Sequence, residues 1–310
     1  MSVVAGIDCG TNSIRLLIAE ISDGVLTDVH RTMEVVRLGE GVDRTGRLSE
    51  AALTRTFAAC DLYAPLIAQA DVAGIRFVAT SATRDASNRD EFFDGVEHRL
   101  GVVPEVISGD TEAELSFIGA TRSLGSALGD QPILVVDIGG GSTECVLGSV
   151  GGGVSSASSV DVGCVRMTER WLRDDPPTAE QVAGATLDID KALAQAAQQV
   201  DFTAATKLVG LAGSVTTIAA IALDLNEYDA DATHGSIISR GRVDEITAEL
   251  MKATREQRAA IAVMHPGRVD VIAGGALVLD RLLHAMPHIS EVVVSEHDIL
   301  DGICWSLALG

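Results

Sequence analysis

The stretch ILVVDIGGGSTECVLGSV, residues 133–150, places a glycine-rich turn between two apolar strand patterns. The first pattern ends in Asp137, and the turn that follows has the frame D-x-G-x-x-S. The same frame recurs in VVAGIDCGTNS, residues 3–13, where Asp8 stands 129 residues before Asp137. That spacing is close to the length of one domain, roughly 100–150 residues. The sequence therefore predicts two related domains, each opening with a strand, a glycine-rich hairpin and a second strand.

The repeated loop has the composition of a phosphate-binding turn. Glycine permits positive φ and leaves backbone N–H groups uncovered, so the turn can surround a phosphate oxygen, and Ser and Thr hydroxyls add donors. An aspartate at the strand end can hold Mg²⁺ directly or through water. Two such loops facing one another would clamp a polyphosphate. The loop is not a Walker A loop, since it lacks a nearby lysine, and a plain glycine-rich hairpin is the alternative for either copy alone.

Apolar, β-branched runs alternate with helical stretches along the chain, which predicts an α/β architecture. The predicted strands are residues 3–7, 14–21, 75–80, 133–138, 144–150, 207–213 and 291–295. The predicted helices are residues 49–70, 112–121, 178–200, 214–223, 244–264 and 271–287. Residues 41–49, GVDRTGRLS, are expected to form a mobile loop before a helix that Ser49 caps. The turn cluster GDQP, residues 129–132, marks the main domain boundary.

Composition narrows the classes of function. The 310 residues carry 44 acidic and 23 basic side chains, a net charge of −21, and only 3% are aromatic. This charge disfavours binding to nucleic acid or to an anionic membrane, and platforms for stacking bases are scarce. A polyanionic substrate must therefore be captured locally, and the shortage of lysine predicts a channel lined by arginine. The candidate channel residues are Arg15, Arg84, Arg89, Arg166 and Arg268.

Cysteine and histidine usage argues against disulfides and against a zinc hydrolase, and it indicates a reducing compartment. The five cysteines are far apart and form no C-x-x-C motif, which predicts neither a disulfide framework nor a zinc knuckle. The histidines show no compact zinc-binding spacing. The apolar N-terminal stretch contains Asp8 and Arg15 and lacks a basic region, so we expect neither a signal peptide nor a membrane span. The expected location is the cytoplasm.

A series of segments, taken in order, resembles the exopolyphosphatase and guanosine pentaphosphate phosphohydrolase (Ppx/GppA) family over essentially the whole chain. These segments are IDCGTNSIRLLIAEI, VRLGEGVDRTGRLSEAAL, VATSATRDASN, VISGDTEAELSFIGA, LVVDIGGGSTECVLG, VGCVRMTERWL, GLAGSVTTIAA, HG, HPGRVDVIAGGALVL and VVVSEHDILDGI. The resemblance implies two ribonuclease-H-like domains of the actin-like ATPase superfamily around a central crevice, in the short form of the family. The implied first domain is residues 1–125 with a last helix at about 296–310, and the implied second domain is residues 126–295.

The resemblance also implies roles for single residues. Glu112, in SGDTEAEL, is implied to be the general base that deprotonates a water for in-line attack, and Arg84 is implied to reach the phosphates. The implied ligands of Mg²⁺, with Mn²⁺ as the alternative ion, are Asp8, Asp137 and Glu144. The expected phosphate cradle comprises Gly10, Asn12, Ser13, Gly139, Gly140, Gly141, Ser142, Thr143, Gly213 and Ser214.

Several of these residues also have a purely structural interpretation. Glu112 fits an acid favoured by the dipole in a first helical turn, and Arg84 fits an ordinary salt bridge. Ser214 fits a plain helix N-cap. Cys9 and Cys145 lie beside the loops, and we expect buried thiols rather than nucleophiles there.

The sequence predicts a Mg²⁺-dependent exopolyphosphatase that removes the terminal phosphate of inorganic polyphosphate by direct attack of water. Guanosine pentaphosphate or a nucleoside triphosphate is the alternative substrate, and a kinase or chaperone-like ATPase would share the loops. A non-catalytic sensor of polyphosphate or alarmone is a further alternative. Thr111 and Glu114 favour the sensor, since they replace an acid and a base that are common in the family. The resemblance also implies a homodimer.

Overall fold

The computed structural model describes residues 2–309, apart from the side chains of residues 126 and 309. The chain divides into two compact units. The first unit contains the chain up to Gly119 and the segment from Ile299 onward, and the second is Ala120–Asp298. The sequence analysis had set the division at 125 and about 296. The first boundary falls earlier, within the helix that ends at Leu124, and the second boundary falls slightly later, after Asp298.

The first unit is built on a five-stranded sheet in the order β3-β2-β1-β4-β5. Its strands are β1 (Ser2–Cys9), β2 (Ser13–Ser22), β3 (Val25–Val35), β4 (Gly74–Ala79) and β5 (Glu105–Val106). The first three strands form an antiparallel meander, and β1, β4 and β5 run parallel. The six residues from Val4 to Cys9 are all buried, which accounts for the apolar run that predicted this strand.

Helices cover both faces of this sheet. They are α1 (Val42–Thr45), α2 (Glu50–Ala70), α3 (Ser81–Asp85), α4 (Arg89–Leu100), α5 (Gly109–Leu124) and the C-terminal α13 (Ile299–Leu309). The Ser49 cap is confirmed, because its Oγ accepts a hydrogen bond of 3.2 Å from the backbone N–H of Ala52. On one face the apolar side chains of α2 and α4 pack in the core with Ile7 and Phe77.

The second unit repeats the topology of the first. Its strands are β6 (Ile133–Ile138), β7 (Thr143–Ser149), β8 (Gly153–Val160), β9 (Lys207–Leu211), β10 (Ile237–Ser239) and β11 (Glu291–Val294). The sheet order is β10-β11-β9-β6-β7-β8. As in the first unit, three strands form an antiparallel meander, here β6-β7-β8. On the other side of β6 lie two strands that run parallel to it, first β9 and then β11. The two units therefore share one strand order, with β10 added at the edge of the second sheet. The duplicated loop predicted two related domains, and the family resemblance implied that they are ribonuclease-H-like.

The helices of the second unit pack around a buried central helix. They are α6 (Cys164–Arg170), α7 (Ala179–Ala196), α8 (Ala212–Ala222), α9 (Ala230–Thr233), α10 (Arg240–Lys252), α11 (Arg255–Ala259) and α12 (Ile272–Ala285). In α12, Gly274 and Gly275 allow close approach of neighbours. An added Cβ would lie 2.7 Å from the carbonyl oxygen of Cys164 at Gly274 and 2.1 Å from Ser214 Oγ at Gly275.

Some elements differ from the sequence prediction. The predicted helix 244–264 is two helices, because Thr254 forms a capping box with Gln257 and starts α11. Residues 41–49, expected to be a loop, contain α1. The sequence analysis did not assign β3 or β8, whose side chains alternate between polar and apolar with many exposed positions.

Candidate active site

In each unit, the glycine-rich loop lies where the parallel strands end. In the first unit, β1 runs into residues 10–12, β4 runs into α3 with Arg84, and β5 runs into α5 with Glu112. In the second unit, β6 runs into residues 139–142 and β9 runs into α8. The carboxyl ends of parallel strands meet at one edge of a sheet, which is the usual location of ligand sites in α/β folds. The fold thus gathers the predicted residues at one edge within each unit.

The first loop turns its carbonyl groups toward the protein. The hairpin is closed by a 3.0 Å hydrogen bond from the N–H of Gly10 to the carbonyl of Ser13. The carbonyl of Asn12 accepts from the N–H groups of residues 36 and 37, and that of Thr11 accepts from Gly39. The N–H groups of Thr11 and Asn12 make no hydrogen bond within residues 2–309. These two N–H groups are therefore available to an anion.

The second loop is held in the same way. Its hairpin is closed by a 3.0 Å hydrogen bond from the N–H of Gly139 to the carbonyl of Ser142. The carbonyls of Gly139 and Gly140 accept from the N–H groups of residues 164–166, which open α6. The guanidinium Nε of Arg166 donates to the carbonyl of Gly141 at 2.7 Å. Among the described residues, the N–H groups of Gly140 and Gly141 find no partner, so this loop too offers donors to an anion.

The sequence analysis was wrong that glycine gives these loops a positive φ. None of the loop glycines is among the described residues with positive φ, so the loops are not left-handed nests. Close packing is observed around the second loop. A Cβ on Gly163 would lie 2.5 Å from the carbonyl oxygen of Gly140, and one on Gly139 would lie 3.2 Å from that of Ser142. The loops owe their shape to carbonyl acceptors that the rest of each unit satisfies.

Two residues of the expected phosphate cradle, Thr143 and Ser214, make other contacts within the protein. The hydroxyl of Thr143, which is fully buried, donates to the carbonyl of Val162 at 2.6 Å. Ser214 is not an N-cap, because α8 begins at Ala212, and its buried side chain packs against Gly275. Ala212 itself has φ of 66°, a left-handed conformation that is strained for a residue with a Cβ. This strained entry fixes where α8 begins.

The two strand-end aspartates have opposite electrostatic surroundings. In the first unit Asp8 is paired across the sheet with Arg15, whose Nη2 lies 2.6 Å from Asp8 Oδ2. In the second unit the equivalent cross-strand pair is Asp137 with Glu144. These two acids are 7% and 0% exposed, and like charges directly opposite each other destabilise a sheet. Glu144 accepts a 2.7 Å hydrogen bond from Ser159. The two carboxylates of the Asp137–Glu144 pair offer the hard oxygen atoms that suit Mg²⁺, and Asp8 has Arg15 as its cross-strand partner.

Glu112 is held at the start of α5 by Arg84. The side chain of Glu112 is only 10% exposed, and its Oε2 lies 3.0 Å from Nη1 of Arg84. The same Nη1 donates to the carbonyl of Ile107 at 2.8 Å, which anchors the guanidinium to the end of β5. Nε and Nη2 of Arg84 make no hydrogen bond among the described residues. Arg84 can thus orient the carboxylate and still offer donors to a phosphate oxygen.

Residues that the sequence analysis missed connect the loops to their surroundings. The hydroxyl of Thr11 lies 2.9 Å from that of Ser81, which ties the first loop to α3 and so to Arg84. Gly163 and the start of α6 shape the second loop. Ser81 lies in the segment TSATR and Gly163 in VGCVRM. Both segments are among those that resemble the family, and this resemblance was the signal that could have identified the two residues.

Of the five candidate channel arginines, Arg166 bonds the second loop, Arg15 bonds Asp8 beside the first loop, and Arg84 bonds Glu112. Arg268 stacks against Gly213 and donates to the Thr217 hydroxyl at 2.9 Å. Arg89 is exposed at the start of α4. No helix among the described residues is long and apolar enough to cross a membrane.

The expectation of inert, buried cysteines is confirmed. All five cysteines are free and buried. Burial raises the pKa of the Cys145 thiol to about 12, and it raises the pKa of Cys9 as well. A thiol needs a lowered pKa to act as a nucleophile near neutral pH. These side chains therefore favour attack by water over covalent catalysis by cysteine.

The known proteins reported next, to which the chain is similar, agree with one another in family. The family model described as the Ppx/GppA phosphatase family matches residues 17–309. The chain is 49% identical to "Exopolyphosphatase 2" of Mycobacterium tuberculosis, over 98% of each chain. It is similar to the crystal structure of an exopolyphosphatase-like protein at 43% identity, with a TM-score of 0.96 over 100% of this chain and 99% of the other. It is also similar to the Aquifex aeolicus member of the Ppx/GppA family at 31% identity, with a TM-score of 0.83 over 99% and 98%.

Proposed function

Because the chain belongs to the Ppx/GppA phosphatase family, we propose that it is an exopolyphosphatase that releases the terminal phosphate of inorganic polyphosphate. The similarity to Exopolyphosphatase 2 of Mycobacterium tuberculosis supports this substrate class, and it makes the protein a phosphoanhydride hydrolase. The single observation that carries the mechanism is the buried carboxylate of Glu112, fixed by Arg84 at the edge of the sheet where the first loop lies.

Glu112 acts as the general base. An ionised carboxylate that is largely withdrawn from solvent and fixed by a guanidinium can orient one water and accept its proton as the water attacks phosphorus in line. Such a group contributes typically about 10²–10⁴-fold to the rate. The other nitrogens of Arg84 bind oxygens of the phosphate under attack, where negative charge develops. Glu112 and Arg84 thus serve the attacking water and the charge of the transition state respectively.

The loop N–H groups bind phosphate oxygens. Thr11 and Asn12 in the first unit, and Gly140 and Gly141 in the second, have N–H groups that no described residue occupies. Because their own carbonyls are satisfied inside each unit, the loops need not rearrange to present these donors. Fixed donors aimed at developing charge lower the barrier without reorganisation.

Asp137 and Glu144 would hold Mg²⁺. Two buried carboxylates directly opposite each other across the sheet supply hard oxygen ligands. When bound, the ion would neutralise charge on the oxygens of the polyphosphate. Ser159 keeps Glu144 oriented through its 2.7 Å hydrogen bond. Asp8, in contrast, orients Arg15 and is not a ligand of the ion.

The test is phosphate release by the purified protein in Mg²⁺, with long polyphosphate, short polyphosphate, guanosine pentaphosphate and ATP compared at equal phosphate concentration. We expect the highest kcat/KM with polyphosphate and shortening of the chain from its end. A higher kcat/KM with guanosine pentaphosphate would replace the proposed substrate with the alarmone. Binding of polyphosphate without any release would replace the enzyme with a sensor.

A further inference from the structure

Three side chains with metal-binding chemistry come together in the second unit, on helices that carry none of the phosphate loops. Asp244 lies in α10, and Asp280 and His284 lie one turn apart in α12. One potential ligand atom from each residue lies within 4.8 Å of those from the other two. Residues four apart on a helix lie on the same face, and a third side chain from a packed helix completes a compact set of ligands.

One carboxylate oxygen of this cluster lacks a hydrogen-bond donor. Oδ1 of Asp244 is closed off from solvent and makes no hydrogen bond within residues 2–309. The side chain of Asp280 is only 13% exposed. A cation bound between the two carboxylates would give this buried oxygen a partner.

The arginines of the two helices are engaged elsewhere. Arg281 donates to both oxygens of Asp190 on α7, at 2.8 and 3.2 Å. Arg242 pairs with Glu245, and Nη2 of Arg240 donates to three backbone carbonyls near the end of α12. Within the part of the chain that the structure describes, no arginine or lysine therefore forms an ion pair with Asp244 or Asp280.

His284 determines which metal ions the cluster prefers, and its exposed side chain leaves a path by which an ion can enter. His284 lies with Nδ1 3.6 Å from Asp280 Oδ2 and 2.8 Å from the carbonyl oxygen of Asp280. Its side chain is 43% exposed, so the cluster opens to solvent on that side and an ion can enter. An imidazole nitrogen among the ligands favours Zn²⁺, Co²⁺ and Ni²⁺, whereas Mg²⁺ prefers oxygen ligands alone.

We propose that Asp244, Asp280 and His284 bind one divalent transition-metal ion of the Zn²⁺ type, which clamps α10 to α12. This site is separate from the Mg²⁺ ligands at the second loop. Along α12, His284 lies nine residues beyond Gly275, where the helix contacts Ser214 of α8. At about 1.5 Å per residue this is about 14 Å. The ion therefore acts on the packing of the two helices and takes no part in phosphate release.

The test is equilibrium dialysis of the intact protein against Co²⁺ in excess Mg²⁺, so that oxygen-only sites stay occupied by Mg²⁺. We expect one Co²⁺ per chain, with a visible absorption band that Zn²⁺ abolishes by competition. His284→Ala and Asp244→Asn are expected to weaken this binding by more than about tenfold. His98→Ala is the matched control, since His98 is also an exposed histidine in the last turn of a helix, α4.

Thermal unfolding gives a second readout. A ligand that binds only the native state raises Tm, so Zn²⁺ should raise Tm for the wild type and for His98→Ala but not for His284→Ala. The proposal is overturned if the wild type binds no Co²⁺ in excess Mg²⁺, or if His284→Ala binds it as well as His98→Ala does. His284 is on the surface, so this comparison decides the matter even if Asp244→Asn fails to fold.

Discussion

Arg15 and Glu144 occupy equivalent positions in the two units, and their opposite charges give the two loops different chemistry. Each lies directly across the sheet from the aspartate that ends the first strand of its unit. Arg15 neutralises Asp8 in a 2.6 Å ion pair, whereas Glu144 adds a second buried acid beside Asp137. At the position where the first unit has an arginine, the second unit thus has one of the two proposed Mg²⁺ ligands.

Substitutions at Glu144 and Asp8 are expected to separate metal binding from loop structure. Glu144→Gln removes a proposed ligand, so the Mg²⁺ concentration for half-maximal activity should rise by about 10- to 100-fold. Asp8→Asn breaks the ion pair with Arg15 and should lower kcat/KM without changing the Mg²⁺ requirement. A titration of activity with Mg²⁺ measures both effects. An equal rise in the Mg²⁺ requirement for both variants would show that Asp8 is a ligand as well.

At the residue scale, the sequence predicted those site residues whose neighbours in the chain belong to the same motif. Glu112 and the two loops are of this kind, since each lies in a segment that resembles the family as a whole. The Ser81 contact to Thr11 and the Ser159 contact to Glu144 join residues that are distant in sequence. Such contacts depend on strand order and register, and no local pattern predicts them.

The second loop is shaped by the element that follows β8, and Gly163 tests this dependence. A Cβ there would lie 2.5 Å from the carbonyl oxygen of Gly140, which is backbone and cannot swing away. Gly163→Ala should therefore destabilise the protein by about 1–3 kcal/mol and reduce phosphate release, as measured by urea unfolding and steady-state kinetics. Gly151→Ala is the control, because a Cβ at Gly151 meets open space. Identical behaviour of the two variants would contradict the role of Gly163.

Helix α13 fixes the position of the helix that carries the proposed base. A Cβ on Gly302 in α13 would lie 2.0 Å from the carbonyl oxygen of Leu115 in α5. Gly302→Ala should push α5 away, lower kcat and destabilise the protein by about 1–3 kcal/mol. Gly241→Ala, in open space on α10, should instead be neutral or stabilise the helix, by up to about 1 kcal/mol. Both variants can be compared by urea unfolding and phosphate release, and unchanged kcat in Gly302→Ala would count against this coupling.

At the element scale, buried parallel strands were predictable and the outer strands of each meander were not. All six side chains of β6 are buried, so the strand reads as a continuous apolar run. In β3 and β8, charged or small polar residues face solvent, and the apolar period is too weak to identify a strand. The sequence analysis missed the break between α10 and α11. Thr254 and Gln257 form a capping box there, but a Thr and a Gln three residues apart also occur inside continuous helices.

At the scale of the whole molecule, the first unit is discontinuous in sequence and depends on α13. This helix places Leu300, Ile303, Cys304 and Trp305 in the core beside β1, β2 and β4. Burial of an apolar side chain contributes about 1.5–3 kcal/mol, so losing four such residues removes a large part of a typical stability of roughly 5–15 kcal/mol. The fold therefore cannot be divided by one cut in the chain.

Truncation after Asp298 should unfold the first unit and leave the second folded. We expect early tryptic cleavage within residues 2–119, retained protease resistance within residues 120–298, and no phosphate release. Cleavage sites can be mapped by mass spectrometry, with the full-length chain as the control. Resistance of residues 2–119 equal to that of the full-length protein would contradict the assignment of α13 to this unit.

The most direct test of the central claim is the rate of phosphate release from long polyphosphate by Glu112→Gln and Glu114→Gln in saturating Mg²⁺. Both residues are acids in the same helix, but Glu112 is buried and bonded to Arg84, whereas Glu114 is exposed. We predict that kcat falls by about 10²–10⁴-fold in Glu112→Gln and stays near the wild-type value in Glu114→Gln. Undiminished release by a folded Glu112→Gln variant would contradict the claim that Glu112 is the base.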